Sequence, residues 1–159
     1  MNSEIIMVRH NLDDLPPVNL AGGFSLRFHG PGDDMQWVQI QQLSDQINVI
    51  TSQLFPDQFG RDPTAWSQRI LYLVDDFNGQ PVGTIAAWYG EEDQWKSWGR
   101  IHWVAVIPEY QGRGLSKPLL AAALRRLRAL GHSRAYLTTS AQRPAALHLY
   151  KCFGFREYT

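Results

Sequence analysis

The sequence contains a single cysteine, Cys152, so no disulfide bond can form within the chain. It has no apolar run of the length that a membrane-spanning helix requires. Its N-terminus lacks the pattern of basic and then apolar residues that marks a secretory signal. We therefore expect a cytoplasmic protein in a reducing compartment, without membrane contact.

The sequence also lacks net charge, because 15 Lys and Arg balance 15 Asp and Glu. The two signs are nevertheless separated along the chain. Residues 1–108 carry 6 basic and 13 acidic side chains, whereas residues 109–159 carry 9 and 2. A basic C-terminal third suits a polyanionic cofactor, although Arg125, Arg126 and Arg128 are equally explained as the solvated face of a helix. The acidic remainder and the absence of a recognised motif argue against nucleic-acid binding.

The residues that are present describe an ordinary globular domain, with 44% hydrophobic and 19% charged residues in 159. This length is sufficient for one domain with a hydrophobic core, so we expect a single domain over residues 1–159. Short apolar or alternating segments predict strands at 3–10, 24–28, 70–74, 82–89, 101–107, 135–139 and 155–158. Helices are expected after a turn at 30–34, where Asp34 is a candidate cap, and over 115–130 and 143–153. Residues 47–54 continue or restart the first helix, and residues 55–66 form a loop with a short helix.

The most informative stretch is Val104 to Leu120, which follows the order strand, glycine-rich turn, helix. The strand is almost continuously apolar and ends at Pro108. Gly112 and Gly114 allow a tight turn that leaves backbone N–H groups uncovered. Such a turn at the start of a helix is an anion site, above all for phosphate.

The segment Gln111-Gly112-Arg113-Gly114-Leu115-Ser116 resembles the pyrophosphate-binding motif of the GNAT superfamily of acyl-CoA N-acyltransferases. That motif consists of Arg or Gln, two residues, Gly, one residue, and Gly or Ala. Ser116 departs from the last position but keeps it small. A Walker loop is excluded because no Gly-Lys-Ser/Thr follows, and a dinucleotide fingerprint would need a third glycine.

A second segment, residues 143–155, resembles a later motif of the same family. It contains Ala146, then Tyr150 four residues on, then Gly154 and Phe155. Arg143 stands where the family usually has Asn. The two motifs occur in the family's order with one strand between them, and the resemblance covers roughly residues 70–155.

The resemblance implies an α/β (α+β) fold with a GNAT-like mixed, mostly antiparallel central sheet flanked by helices. The family's closing strand has no counterpart before Thr159, so the extra N-terminal strand is a candidate for that place. It also implies an acetyltransferase that moves an acetyl group directly from acetyl-CoA, as co-substrate, to a primary amine of a small-molecule or peptide acceptor. The residues implied in cofactor binding are Val104, Ala105, Val106, Gln111, Gly112, Arg113, Gly114, Leu115, Ser116 and Arg143. Tyr150 matches the general acid, and a phenol with a pKa of about 10 suits a donor to a departing thiolate.

The general base remains open between His102 on the central strand, Glu109, the acidic loop at 91–93, and a chain of water molecules. His148 and Cys152 have a metal-binding spacing, but no second cysteine completes a site, so we expect no metal. The aromatic residues Trp66, Trp88, Tyr89, Trp95 and Trp98 fit either an acceptor pocket or core packing.

A second class of function stays open, namely a non-catalytic acyl-CoA-binding or regulatory domain of the same fold. An unpaired sheet edge also invites a partner strand, which leaves a homodimer open. The identity of the acceptor cannot be deduced from the sequence.

Overall fold

A computed structural model describes residues 4–159, which form one seven-stranded sheet and five α-helices. The strands are β1 (Glu4–Arg9), β2 (Phe24–Phe28), β3 (Ile70–Asp75), β4 (Gln80–Tyr89), β5 (Gly99–Val106), β6 (Ala135–Ser140) and β7 (Arg156–Glu157). The helices are α1 (Asp33–Ser44), α2 (Leu54–Phe59), α3 (Pro63–Arg69), α4 (Ser116–Ala129) and α5 (Pro144–Cys152). None of the helices in this part of the chain has both the length and the apolar character needed to cross a membrane.

The strands lie in the order β2-β3-β4-β5-β6-β1-β7. Every neighbouring pair is antiparallel except β5 and β6, which are parallel. This arrangement confirms the predicted mixed, mostly antiparallel sheet flanked by helices.

The N-terminal strand is an internal member of the sheet. β1 pairs with β6 over six positions, from Glu4 opposite Ser140 to Arg9 opposite Ala135, and its other edge pairs with β7. Nε of Arg9 also donates to the carbonyl oxygen of Phe153 at 2.9 Å, just beyond the last residue of α5. We expected this segment to pair with the sheet of its own chain or with that of a second subunit, and pairing within its own chain is what the structure shows.

Alternating strand residues build two core layers, as expected for a sheet that is covered on both faces. Leu71 and Leu73 of β3 pack with α4 on one face. Ile70 and Tyr72, which alternate with these leucines along β3, pack on the other face with α1 and α2. The sheet therefore separates two core layers.

Two local predictions were wrong and one was incomplete. Residues 47–53 neither continue nor restart α1, and the segment expected as a loop with a short helix contains two short helices, α2 and α3. Asp34 does not cap α1. The neighbouring Asp33 instead accepts a hydrogen bond from the backbone N–H of Gly30 at 2.6 Å, and a two-point ion pair with Arg27 holds it there.

The basic face of α4 fastens backbone segments. Arg125 donates to the carbonyl oxygens of Leu15 and Pro16 at 2.8 and 2.9 Å. Arg128 bonds to the same connection, and Arg126 bonds to the carbonyl oxygen of Gln68 at 2.8 Å. These arginines thus bind backbone segments of the chain and are not merely a solvated face.

Candidate active site

The two central strands separate where they leave their parallel ladder. β5 and β6 are paired only at Gly99 with Ala135 and at Arg100 with Tyr136. Beyond these pairs they diverge, and a cavity of about 450 Å³ opens between them. Six of the predicted site residues line this cavity, namely Val104, Ala105, Val106, Gln111, Arg143 and Tyr150.

A β-bulge marks the side of β5 that faces β4. The register shifts so that Trp103 and Val104 both stand opposite Ile85. Trp103 has a φ of +52°, a left-handed conformation that is an outlier for a bulky residue. Its indole packs edge-on against Trp37 at 5.6 Å, and its carbonyl oxygen accepts from Gln41 at 3.3 Å. These contacts hold the strained backbone in place beside the cavity.

The glycine turn joins the end of β5 to α4 as the sequence predicts. Gly112 and Gly114 have φ values of +77° and +72°, and a Cβ at either position would meet nothing within 4 Å. Leu115 occupies the N-cap position without a side-chain capping bond. The N–H groups of residues 112–115 donate no hydrogen bond to any residue that the structure describes. The turn therefore presents open donors at a helix N-terminus, outside the cavity.

The two polar side chains of the turn point in different directions. Gln111 donates from Nε2 to the carbonyl oxygen of Val106 at 2.8 Å and so ties the turn to the end of β5. Arg113 is exposed, lies over the ring of Tyr110 at 4.8 Å, and donates to the carbonyl oxygen of Glu109 at 3.1 Å. Gln111 thus shapes the cavity, whereas Arg113 lies at the rim of the open donors.

Tyr150 reaches the cavity from α5. Its side chain is buried, with 7% exposed, and its ring contacts Phe155 edge-on at 6.1 Å. Burial raises the pKa of Tyr150 to about 12, and the charge of Arg143 opposes the rise. The hydroxyl forms no hydrogen bond with residues 4–159, so a protonated phenol faces the cavity without a protein partner.

His102 lies on the cavity wall with its tautomer fixed by α2. The indole N–H of Trp103 donates to Oε1 of Gln58 at 3.0 Å, and Nε2 of His102 lies 2.9 Å from the same oxygen. Since an oxygen accepts, His102 carries its proton on Nε2 and keeps a lone pair on Nδ1. Burial, reinforced by the charge of Arg100, lowers the pKa of His102 well below 6.5. The imidazole is therefore neutral near pH 7.

An ion pair lies in the wall of the cavity. Arg143, just before α5, donates to both carboxylate oxygens of Asp45, just after α1, at 3.2 Å. Burial alone would raise the pKa of Asp45, but hydrogen bonds from Asn48 and Ile47 and the charge of Arg143 hold it below its usual range. Arg143 is thus anchored to the α1 side, a contact that an Asn at this position would be too short to make.

Several candidates from the sequence lie elsewhere. None of Glu91, Glu92 and Asp93 lines the cavity, and Glu109 is exposed on the turn. Of the two interpretations of the five aromatic residues, core packing is the one found, because they pack in two core clusters. Within residues 4–159, no group of three or more His, Cys, Asp or Glu is arranged to hold a metal ion.

Gln58 and Asp45 are cavity residues that the sequence did not indicate. Neither belongs to a motif, and each acquires its role from a partner more than 40 positions away. A lone Gln or Asp in a helical or turn segment carries no local signal of such a partner.

Comparison with known proteins agrees with this geometry. Residues 37–155 match the model of the acetyltransferase (GNAT) family. Mycothiol acetyltransferase from Streptomyces scabiei is 31% identical, with 98% of this chain and 51% of that protein covered. The enzyme of the same name from Mycobacterium sp. strain MCS is 29% identical, with 96% and 52% covered. The chain therefore spans about half the length of these relatives.

Solved structures share the fold. A GCN5-related N-acetyltransferase from Sphaerobacter thermophilus superposes with a TM-score of 0.80 at 22% identity, covering 99% of this chain and 49% of that one. The ribosomal-protein-S18-alanine N-acetyltransferase from Escherichia coli gives a TM-score of 0.66 at 21% identity, covering 86% and 79%. With a family match over most of its length, both motifs in place and the divergent central strands, the chain belongs to the acetyltransferase (GNAT) family.

Proposed function

We propose that this chain is a single acetyltransferase domain that moves an acetyl group from acetyl-CoA directly to a primary amine. The observation that carries the proposal is the divergence of β5 and β6. It opens one cavity that both Tyr150 and His102 line, next to a turn with free backbone donors. Cofactor, acid and base would thus meet at one place, as direct transfer requires.

Acetyl-CoA would supply the activated thioester, and the chain has suitable groups for both ends of it. The N–H groups of Gly112 to Ser116, of which those of residues 112–115 are open, suit the pyrophosphate, since the absence of side chains at both glycines leaves room for close approach. The backbone of Val104 to Val106 lies along the cavity and suits the pantetheine arm. Arg143 lines that cavity but is paired with Asp45, so it suits a role in shaping the cavity more than a direct phosphate contact.

The proton transfers are assigned to two side chains. Tyr150 is protonated at every working pH, so its hydroxyl can give a proton to the departing thiolate. His102 is neutral and offers a lone pair on Nδ1, so it can accept the proton that the amine loses. The identity of the proton acceptor, which the sequence left open, is therefore assigned to His102.

The acceptor is proposed to be a small-molecule or peptide amine, and the location cytoplasmic. The relatives are named mycothiol acetyltransferase, so the amine acceptor implied by that name is one acceptor to test. No observation favours the alternative of a non-catalytic acyl-CoA-binding domain. A purely binding domain would need neither a hydroxyl without a partner nor a neutral imidazole in its cavity. A homodimer remains a prediction.

The decisive test is turnover of acetyl-CoA over a panel of amines, followed by thiol release and by mass spectrometry of the acceptor. We expect acetylation of at least one class of primary amine. Stabilisation of the fold by acetyl-CoA without turnover of any amine would instead support the binding domain. No stabilisation and no turnover would contradict both.

A further inference from the structure

Arg100 carries a guanidinium without an anionic partner, in the wall of the cavity. Nε is shielded from solvent and has no hydrogen-bond partner. The one hydrogen bond of the side chain runs from NH2 to Oγ1 of Thr138 and is long, at 3.5 Å. No carboxylate among residues 4–159 lies within 4.0 Å of it. Four of the five N–H donors of a guanidinium are thus unused.

Arg100 contrasts with three other arginines whose donors are better satisfied. Arg27 and Arg143 pair with carboxylates, and Arg125 donates two short bonds to carbonyl oxygens. The guanidinium of Arg100 lies 5.6 Å from the centroid of the Tyr136 ring. This cation–π contact stabilises the charge but gives the N–H groups no hydrogen-bond acceptor. A partly buried guanidinium with unused N–H donors favours the binding of any anion that can reach it.

The location of Arg100 relates this charge to the reacting groups. Arg100 and His102 are two residues apart on β5, so both side chains lie on the same face of the sheet and line the same cavity. The hydroxyl residues Thr138 and Ser140 of β6 lie on the opposite wall and add donors. The glycine turn lies outside this cavity, so a phosphate held there leaves Arg100 free for a different anion.

We propose that Arg100 binds a carboxylate of the acceptor, and that the acceptor is therefore an amino acid or a related small amine with a carboxylate close to its amino group. This inference rests on the proposed acetyl transfer. The planar fork of the guanidinium matches a carboxylate in a two-point hydrogen bond, which a single ammonium does not. Holding the carboxylate at Arg100 places the neighbouring amine beside His102.

The test compares amino acids with their own amides as acceptors. The two members of each pair differ only in the carboxylate, so the ratio of their kcat/KM values isolates its recognition. We expect the full chain to prefer the acid by about tenfold or more, mostly through KM, as loss of a charge-assisted hydrogen bond implies. Arg100→Gln should abolish that preference, and Arg100→Lys should retain only part of it. Arg134→Gln, which removes an arginine outside the cavity, should leave the preference unchanged.

A second measurement does not depend on turnover. Thermal unfolding of the full chain with CoA is followed in the presence of N-acetylated amino acids or their N-methylamides. We expect stabilisation by the acids alone, with loss of this effect in Arg100→Gln. Unfolding of each variant without ligand establishes that it is folded.

The two measurements separate the inference from the function beneath it. Acid-dependent stabilisation without acetylation of any amine would contradict the proposed reaction and support the anion site. Equal acetylation of acids and amides would support the reaction and overturn the role of Arg100. A preference for acids that survives in Arg100→Gln would also overturn it, as would the absence of acid-dependent stabilisation.

Discussion

Gly114 and Gly79 share nearly the same left-handed φ in two different settings. Their φ values are +72° and +71°, and a Cβ at either position would meet nothing within 4 Å. Gly114 belongs to the turn before α4, whereas Gly79 lies in the hairpin between β3 and β4. A substitution at either glycine strains the backbone in the same way, but only Gly114 lies at the proposed phosphate site. Comparing the two therefore distinguishes an effect of strain from an effect on phosphate binding.

The first prediction uses this pair. Gly114→Ala and Gly79→Ala should each lower the free energy of unfolding by about 1–2 kcal/mol, since left-handed φ is unfavourable for alanine. Only Gly114→Ala should weaken acetyl-CoA binding, because its methyl group would project over the open N–H donors. Urea denaturation and calorimetric titration measure the two effects. Equal affinity for acetyl-CoA in both variants would mean that this turn does not bind the pyrophosphate.

The second prediction concerns the hydroxyl of Tyr150. Tyr150→Phe should lower kcat on the order of a hundredfold, because the thiolate loses its proton donor. Affinity for acetyl-CoA and stability should change little, since the hydroxyl has no hydrogen bond to lose within residues 4–159. Tyr89→Phe, at the end of β4 and outside the cavity, is the matched control. A kcat that is the same in both variants would make Tyr150 a packing residue.

The third prediction concerns the pH dependence set by Gln58 and His102. Because burial keeps the pKa of His102 well below 6.5, the acidic loss of kcat should also lie well below pH 6.5. Gln58→Glu places a carboxylate against Nε2 and should raise the pKa of His102, so the loss of kcat should move to higher pH. Gln68→Glu makes the same change on the exposed surface of α3 and should leave the profile unchanged.

Stability offers an independent check on the same group. The pKa of His102 is lower in the folded than in the unfolded chain, so the unfolded chain binds more protons below pH 6.5. The free energy of unfolding should therefore fall as the pH decreases below 6.5. Gln58→Glu should reduce this fall, while the contribution of the other buried histidine, His29, stays the same. If the pH profiles of kcat and of the free energy of unfolding are the same in Gln58→Glu and in the unsubstituted protein, His102 is not the proton acceptor.

The parts of the fold that the sequence predicted depend on local backbone rules. Gly112 and Gly114 need left-handed φ, and the apolar strand before them and the leucine-rich helix after them are visible as periodic patterns. Tyr150 was recognised for a similar reason, because it lies in a second local motif. Strand β1 was recognised as too apolar for a free tail and was expected at a sheet edge left open by the missing closing strand, whereas its internal place between β6 and β7 is seen only in the structure.

The missed features depend on contacts between distant positions. Arg100 is a candidate binding residue only because no carboxylate reaches its guanidinium. Gln58 has a role at the site only because His102 and Trp103 share its side-chain oxygen. Asp33 rather than Asp34 bonds at the start of α1 because Arg27 on β2 selects it. Local propensity cannot distinguish such neighbours, since both have the same intrinsic preference for a helix start.

The last prediction concerns the stability that β1 contributes. Met7 is fully buried at the centre of β1, and it pairs with Leu137 on one side and Glu157 on the other. Met7→Ala should lower the free energy of unfolding by about 2–5 kcal/mol, because it leaves a cavity in the core. Met35→Ala is the matched control on α1, where the side chain is 64% exposed, and should change the free energy by no more than about 0.5 kcal/mol.

Chemical denaturation distinguishes an integral strand from a peripheral one. If β1 is part of the cooperative fold, Met7→Ala should shift the midpoint of the single transition without changing its slope. Amides from Ile5 to Arg9 should then exchange as slowly as those of β6, with which they are paired. Fast exchange throughout this segment, together with a Met7→Ala variant as stable as Met35→Ala, would mean that β1 opens independently. In that case the sheet would be complete at β6, and deletion of the first ten residues would remove Glu4 from the cavity wall but leave β5, β6 and the activity in place.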